Sequence, residues 1–179
     1  ILLSATYRQD SAGSAASRAH DPPNVWLSRG PRFRLEAESI RDAALAIGGL
    51  LSDKMGGPSV FPDQPPGIWH SPYSGDDWKP STGEDRWRRG VYTFLKRTAP
   101  YPFFMAFDAT SRETCTVRRL PTNTPLQALA TLNDTVFIEA SRGLANRLIA
   151  LRDDRARVLL GFRLATGRKP TAAESERLL

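Results

Sequence analysis

The sequence predicts a mainly α-helical, irregular domain with a long ordered loop rich in proline and glycine and at most one or two short strands. Apolar residues recur every three or four positions in residues 36–52 and again after residue 124, as in helices that bury one face. Residues that favour helix N-termini precede the later segments. Between these parts, residues 54–85 contain eleven glycines or prolines in 32 positions, a length unusual for a simple connection.

The first clear helix covers residues 36–52. Its apolar stripe consists of Ile40, Ala43, Ala44, Ile47, Leu50 and Leu51. Polar residues at positions 36, 38, 41 and 42 lie mostly off this stripe. Before this helix, residues 1–7 are predicted to be the end of a helix, and Asp21-Pro22-Pro23 prevents helix formation at that point.

The long loop at residues 54–85 is expected to be ordered, because disordered segments contain few aromatic residues. Its large apolar residues are Phe61, Ile68, Trp69, Tyr73 and Trp78. Anchoring of the loop to the core is the favoured interpretation. The alternative is that Trp69, Tyr73 and Trp78 form an aromatic platform for a ligand such as a sugar or a base. Ser81 and Glu84 have the spacing of a capping box for a following helical turn.

Residues 91–97, VYTFLKR, fit either a short strand or a buried helix. Residues 124–179 are predicted to form a C-terminal helical bundle that the end of the chain truncates. Thr124 before Pro125 is a helix start, Asn133-Asp134 separates that helix from one over residues 135–151, and Asp153-Asp154 starts a third. Gly167 ends the third helix, and Thr171 with Glu174 forms a capping box for a fourth. Because the patterns are cut at both ends, the 179 residues are interpreted as a fragment with one domain.

Composition limits the classes of function. The net charge is +6, yet no run of five basic residues occurs, so nucleic-acid binding is only a second alternative. One cysteine and two histidines exclude an internal disulfide and a thiolate metal site, and no haem-attachment motif is present. We therefore predict no metal and no cofactor in this chain. No apolar run reaches the roughly 18 residues of a membrane span.

Several motifs together resemble one known family. They are SATYRQ (4–9), RGPRFRLEAESIRDAAL (29–45), GGPSVFPDQPPGIW (56–69), GEDRWRRGVYTFLKRTAPYPFFMAFDATSRETCTVRRLPTNTPLQALATLND (83–134) and GRKPTAAE (167–174). In order and spacing they resemble the C-terminal two-thirds of the domain of unknown function 1553, the planctomycete-type PSD domain. The resemblance implies the C-terminal domain of a large exported protein, periplasmic or at the cell surface. It also implies adjoining domains, including a haem-binding cytochrome-c-like one, and a link to polysaccharide breakdown, but no catalytic residues.

One cluster of polar residues surrounds the only cysteine. Its members are Asp108, Arg112, Glu113, Arg118, Arg119 and Asn123. They fit a fixed ion-pair network or a site for an anionic ligand, because arginine binds carboxylates and phosphates through paired hydrogen bonds. At least one of the three arginines is expected to pair with Asp108, Glu113 or an acid of the preceding loop. Cys115 is expected to be buried and structural rather than a nucleophile, since no histidine is near it in sequence.

Acidic residues of the loop, Asp76, Asp77, Glu84 and Asp85, supply carboxylates of the kind that a glycosidase uses in pairs, but their spacing selects no pair. The favoured function is a non-catalytic interaction or scaffold module that contacts other domains of the same polypeptide. The alternative is a carbohydrate-active hydrolase or polysaccharide-binding domain, and the second alternative is nucleic-acid binding.

Overall fold

The computed structural model describes residues 1–67, 69, 75 and 77–179. These residues form two compact units, Ile1–Leu35 and Glu36–Leu179. The first unit contains α1 (Ala15–His20). The second contains α2 (Ala37–Gly48), α3 (Pro102–Ala106), α4 (Pro125–Asn133), α5 (Thr135–Ile149), α6 (Asp154–Thr166) and α7 (Ala172–Leu178), with short 3₁₀ helices at Gly83–Trp87 and Gly90–Tyr92. Within the described ranges no sheet forms, which confirms the mainly helical fold class.

The first unit is built from turns around one short helix. Residues 1–8 form turns rather than the predicted helix end. The unpredicted α1 begins after Ser14, whose hydroxyl accepts a hydrogen bond from the Ser17 N–H at 3.0 Å. After α1 the Asp21 carboxylate accepts from the backbone N–H groups of Val25 and Trp26 at 2.8 and 2.9 Å. Asp21 thereby closes the proline turn that the sequence predicted as a helix breaker.

Two buried arginines hold the chain before and after the long loop. Arg41 of α2 is fully buried and donates to the backbone carbonyls of Arg88 and Arg86 at 2.7 and 2.8 Å. Arg88 is also fully buried; it donates to the carbonyls of Gly56 and Pro58 and stacks on the ring of Tyr92 at 3.9 Å. Arg41 lies off the predicted apolar stripe of α2 and is nevertheless buried. These carbonyls lie in segments without a strand ladder, and buried carbonyls need donors.

The core of the second unit is aromatic. It consists of Ala37, Tyr101, Phe103, Phe104 and Phe107, all buried. Four of these residues lie in α3 or directly beside it. The sequence analysis did not predict this helix. Pro102 occupies the first turn of α3, where its missing N–H costs nothing. The Phe103 ring contacts those of Phe107 and Phe137 with centroids 4.7 and 5.2 Å apart, which joins α3 to α5.

Helices α2 and α5 cross with their backbones in close contact, although 86 residues of chain lie between Gly48 and Thr135. A Cβ atom added to Gly143 would lie 2.5 Å from the carbonyl oxygen of Gly48. One added to Gly48 would lie 2.6 Å from the carbonyl oxygen of Ala140. The crossing therefore depends on small residues at 48, 140 and 143. Gly49 follows in the left-handed conformation and ends α2 before the predicted residue 52.

The predicted starts of the C-terminal helices are confirmed. Thr124 and Gln127 form a reciprocal capping box, in which the Gln127 N–H donates to the Thr124 hydroxyl at 3.4 Å. Asp134 and Asp153 cap α5 and α6, and Thr171 with Glu174 forms a second capping box for α7. Gly167 ends α6 with a positive φ of 74°.

Residues 81–97 agree with the sequence-based prediction in part: a helical turn follows Ser81, but Ser81 does not cap it. The Ser81 hydroxyl accepts from the Phe61 N–H at 2.9 Å instead of capping a helix, and Thr82 precedes the 3₁₀ helix Gly83–Trp87. Residues 91–97 form neither a complete strand nor a helix, and Thr93 makes a single parallel bridge to Val60.

Among the described helices, none has the length and apolar character that crossing a membrane would require.

Candidate functional site

A groove of about 560 Å³ opens where the start of α2 meets residues 89–95 and 104–119. This volume is within the range of small-molecule sites. Acidic, basic and hydroxyl side chains all contribute to its lining. The charged members include Glu36, Glu38, Asp42, Arg89, Arg112 and Arg119.

An ion pair in the groove joins Arg119 to the glutamates at the start of α2. Arg119 donates to both carboxylate oxygens of Glu38 at 2.6 and 2.9 Å and lies 3.0 Å from the carboxylate of Glu36. The Arg119 hydrogen bonds lower the pKa of the half-buried Glu38, because they stabilise its charged form. The same contact raises the pKa of Arg119. Glu38 is therefore an ionised hydrogen-bond acceptor at neutral pH and is not suited to be a general acid.

A second contact lies one turn further along α2. The Asp42 carboxylate accepts from the backbone N–H of Gly90 at 2.6 Å and lies 3.7 Å from the Arg89 guanidinium. Gly90 has no room for a side chain, since an added Cβ would lie 3.0 Å from Cα of Glu38. This close approach of residues 89–90 to α2 forms one wall of the groove.

Thr93 is the one residue of the described groove lining whose buried side-chain oxygen lacks a hydrogen-bond partner. The residue is 9% exposed, and its backbone N–H is bonded to the Gly90 carbonyl at 3.0 Å. A buried hydroxyl without a partner is uncommon, because its desolvation is not compensated.

Two residues other than glycine adopt positive φ angles beside the groove, Asp108 at 62° and Arg112 at 61°. The conformation of Asp108 is explained by its contacts: its carboxylate accepts from the N–H and hydroxyl of Thr122 at 2.7 and 2.8 Å and from the Gln127 side chain at 3.3 Å. Asp108 thereby links the connector between α3 and α4, residues 107–124, to the start of α4. For Arg112 no comparable contact is present among the described residues, and its backbone is strained.

The six residues of the predicted polar cluster do not form one network. Arg112 and Arg119 line the groove, whereas Asp108 faces Thr122 and Gln127. Glu113, Arg118 and Asn123 are exposed. One arginine is paired, but its partners are Glu36 and Glu38 rather than Asp108, Glu113 or a loop acid. The assignment of the cluster to an anionic ligand stays a prediction, and the glutamates at the start of α2 are the members that sequence reasoning missed.

Two of the three residues of the predicted aromatic platform, Trp69 and Trp78, are described, and both contact the protein itself. Trp78 donates to the Pro62 carbonyl at 2.7 Å and stacks on Tyr101 with centroids 5.5 Å apart. Trp69 donates to the Ala99 carbonyl and packs against Trp78 with centroids 5.6 Å apart. Both indole N–H groups and one face of Trp78 are thus occupied by the protein. Tyr73, like His70 and Asp76, lies outside the described residues.

The hydrolase alternative requires two carboxylates at one cleft, and the closest arrangement involves Asp63 and Glu139. Both accept hydrogen bonds from Arg86, and Glu139 also accepts from the Trp87 indole at 3.0 Å. One guanidinium between them compensates one of the two negative charges. Burial raises the pKa of nearby Asp134, but this carboxylate caps α5 through the Val136 N–H. Of the loop acids, Glu84 and Asp85 contact Lys54 at 3.8 and 3.0 Å.

Cys115 is exposed, so the prediction that it is buried is wrong. It lies in the irregular connector between α3 and α4, where residues 113–118 are all exposed. The described residues contain no group of three or more histidine, cysteine, aspartate or glutamate side chains placed to hold a metal ion.

Helix α4 presents leucines to solvent. Leu126, Leu129 and Leu132 are 61%, 56% and 72% exposed, while Gln127 on the opposite side is buried. At 3.6 residues per turn these three leucines fall within about 120° of the helix circumference. We call this surface the leucine face of α4. The capping box and the contacts of Gln127 fix which side of α4 points inward.

Comparison with known proteins gives one family. The family model PSD1, described as a protein of unknown function (DUF1553), matches residues 1–179. No curated protein and no solved structure matches the chain.

Proposed function

The chain belongs to the PSD1 family of proteins of unknown function (DUF1553), and we propose that it acts there as a non-catalytic interaction module with the leucine face of α4 as its contact surface. The observation that carries this proposal is the outward orientation of Leu126, Leu129 and Leu132. Fully burying a leucine side chain contributes about 1.5–3 kcal/mol relative to leaving it exposed. Burial of three leucines on one face would therefore contribute considerably to the binding of a partner.

The chemistry of α4 indicates the kind of partner. Helix α4 has nine residues and no charged side chain, so its complement is an apolar surface such as the stripe of another helix. At 1.5 Å per residue the helix is about 14 Å long, too short for the roughly 800 Å² per partner of a stable interface. A small apolar contact is effective when both surfaces belong to one polypeptide, because the effective concentration is high. The proposed partner is therefore another domain of the same protein.

Two observations support a non-catalytic role over hydrolysis. A glycosidase requires a carboxylic acid that stays protonated near neutral pH, which means a raised pKa. In the groove, the Arg119 hydrogen bonds lower the pKa of Glu38. Asp63 and Glu139 share the Arg86 guanidinium. The nucleic-acid alternative receives little support, because Arg41, Arg86, Arg88 and Arg119 contact carbonyls or carboxylates of the protein itself and part of the positive charge is internal.

The family resemblance extends this proposal to the location of the protein. We propose an exported, periplasmic or cell-surface protein in which a neighbouring domain, such as a cytochrome-c-like one, covers the leucine face and holds any haem. Polysaccharide binding is retained as the alternative. Cell fractionation with an antibody to residues 1–179 tests the location.

The contact surface is tested by cysteine accessibility in the full-length protein. In a Cys115→Ser background, Leu129→Cys reports on the leucine face and Ile149→Cys is the matched control on α5, since these positions are 56% and 69% exposed. We expect Leu129→Cys to react with a maleimide at least about tenfold more slowly than Ile149→Cys in the native protein, and at the same rate after denaturation. Equal native rates would remove α4 as the contact surface. Polysaccharide hydrolysis by the purified protein would contradict the non-catalytic role.

A further inference from the structure

We propose that the groove beside the start of α2 binds a small carboxylate that carries several hydroxyl groups, at a site distinct from the leucine face of α4. The groove volume of about 560 Å³ suits such a molecule. The proposal depends on Arg112, on Thr93 and on the way in which the other charges of the groove are already paired.

Arg112 supplies the charge for the carboxylate. Arg119 is engaged by Glu36 and Glu38, and Arg89 lies next to Asp42. The Arg112 guanidinium makes no hydrogen bond and no ion pair with any described residue, although it stands close enough to Glu38 to add to the effect of Arg119 on that carboxylate. A guanidinium presents two parallel N–H groups that match the two oxygens of a carboxylate. One unpaired arginine therefore fits one carboxylate.

Thr93 indicates the hydroxyl groups of the ligand. Thr93 belongs to the groove lining, and its buried side-chain oxygen has no hydrogen-bond partner among the described residues. The lining also includes Ser39, Ser59 and Thr110, which carry hydroxyl groups. Hydroxyl side chains both donate and accept hydrogen bonds, so they match the hydroxyl groups of a ligand better than a purely anionic or cationic group. A ligand hydroxyl at Thr93 would satisfy a group that the protein leaves without a bond.

The carboxylate side chains of the groove favour a ligand carboxylate over a ligand phosphate. Glu36, Glu38 and Asp42 line the same groove, and their charges repel a ligand dianion. A carboxylate carries a single charge, which the free Arg112 balances. The Arg112 backbone has φ at 61°, a strained conformation for arginine that glycine would adopt without strain.

The test is isothermal titration of the protein with D-glucuronate, with D-glucose and inorganic phosphate as the comparison ligands. We expect glucuronate to bind and both comparison ligands to bind roughly tenfold to hundredfold more weakly, as the loss of a charge-assisted pair implies. Arg112→Gly should weaken glucuronate binding by a similar factor while the melting temperature is kept or raised. Thr93→Val should weaken it severalfold without unfolding the protein, because the hydroxyl that it removes has no hydrogen-bond partner among the described residues.

Arg118→Gln is the matched control, since Arg118 lies in the same connector and is exposed but does not line the groove. Its affinity for glucuronate should equal that of the unmodified protein. An equal loss in Arg118→Gln and Arg112→Gly would show a general charge effect and overturn the proposal. Absence of glucuronate binding, or glucose binding of equal strength, would also overturn it. Titration with a short oligomer of the same acid separates two sources of the carboxylate, because tighter binding of the oligomer identifies a polymer unit and equal binding a free acid.

Discussion

Gly143→Ala should destabilise the protein because it adds a methyl group at the α2–α5 crossing. The new Cβ would lie 2.5 Å from the Gly48 carbonyl oxygen and 3.2 Å from the carbonyl carbon. An ordinary carbon–oxygen contact needs about 3.3 Å, so the two backbones must separate by roughly 0.8 Å. Neither atom belongs to a flexible side chain, and overpacking of this kind costs about 1–3 kcal/mol. Alanine regains about 1 kcal/mol of helix propensity, which leaves a net loss of up to about 2 kcal/mol.

Gly161→Ala is the matched control for this prediction. Gly161 is also inside a long helix, but its added Cβ would meet only the Leu148 side chain, which can move and whose Cδ1 atom would lie 3.1 Å away. The gain in helix propensity is the same in both variants. The difference between their free energies of unfolding therefore measures the cost of overpacking at the crossing, about 1–3 kcal/mol. Urea unfolding followed by circular dichroism measures both. Equal stabilities, or a Gly143→Ala variant more stable than the unmodified protein, would refute the close approach of α2 and α5.

Three further predictions concern single side chains. Thr124→Ala should cost about 1 kcal/mol in the free energy of unfolding, because the hydroxyl caps α4; an unchanged value would mean that the cap is not needed. The Cys115 thiol, being exposed, should react with a maleimide in the native protein at nearly the rate of the unfolded chain, and strong native protection would contradict its placement. The Arg119 hydrogen bonds lower the pKa of Glu38 in the folded state, so this contact stabilises the fold above the unfolded pKa of about 4.5 and is lost as pH falls through the lower, folded value. The stability difference between the unmodified protein and Glu38→Gln should therefore be constant near neutral pH and shrink in acid, whereas a pH-independent difference would refute the ion pair.

The helix starts of the C-terminal part could be predicted because capping is local. Thr124 and Gln127 are three residues apart, as are Thr171 and Glu174, and each pair completes its hydrogen bonds without help from the rest of the chain. Gly167, which ends α6 in the left-handed conformation, could be predicted from the sequence for the same reason. Neither the α2–α5 crossing nor α3 could be predicted in this way. The small residues of the crossing have meaning only beside a helix that is distant in sequence.

Arg41 shows why amphipathic patterns can fail. Its position on α2 is polar by periodicity, and an arginine there is normally solvated. The segment that covers this side of α2 is irregular, so the carbonyls of Arg86 and Arg88 have no strand partner and the Arg41 guanidinium supplies their hydrogen bonds. A sequence pattern assigns a residue to a face of a helix but cannot reveal that the neighbouring segment lacks donors.

The groove was missed for a related reason. Its charged residues come from the start of α2, from residues 89–95 and from the connector, three segments that no spacing rule brings together. The arginine cluster drew attention to Arg112 and Arg119, but only the structure separates them: one guanidinium is neutralised by Glu38, and the other has no partner among the described residues. Arg119 stabilises the fold through its carboxylate partners, whereas the exposed Arg112 has a strained backbone and lines the same groove as Thr93, whose buried hydroxyl is unsatisfied. That difference, rather than the number of arginines, is what makes the groove a candidate binding site.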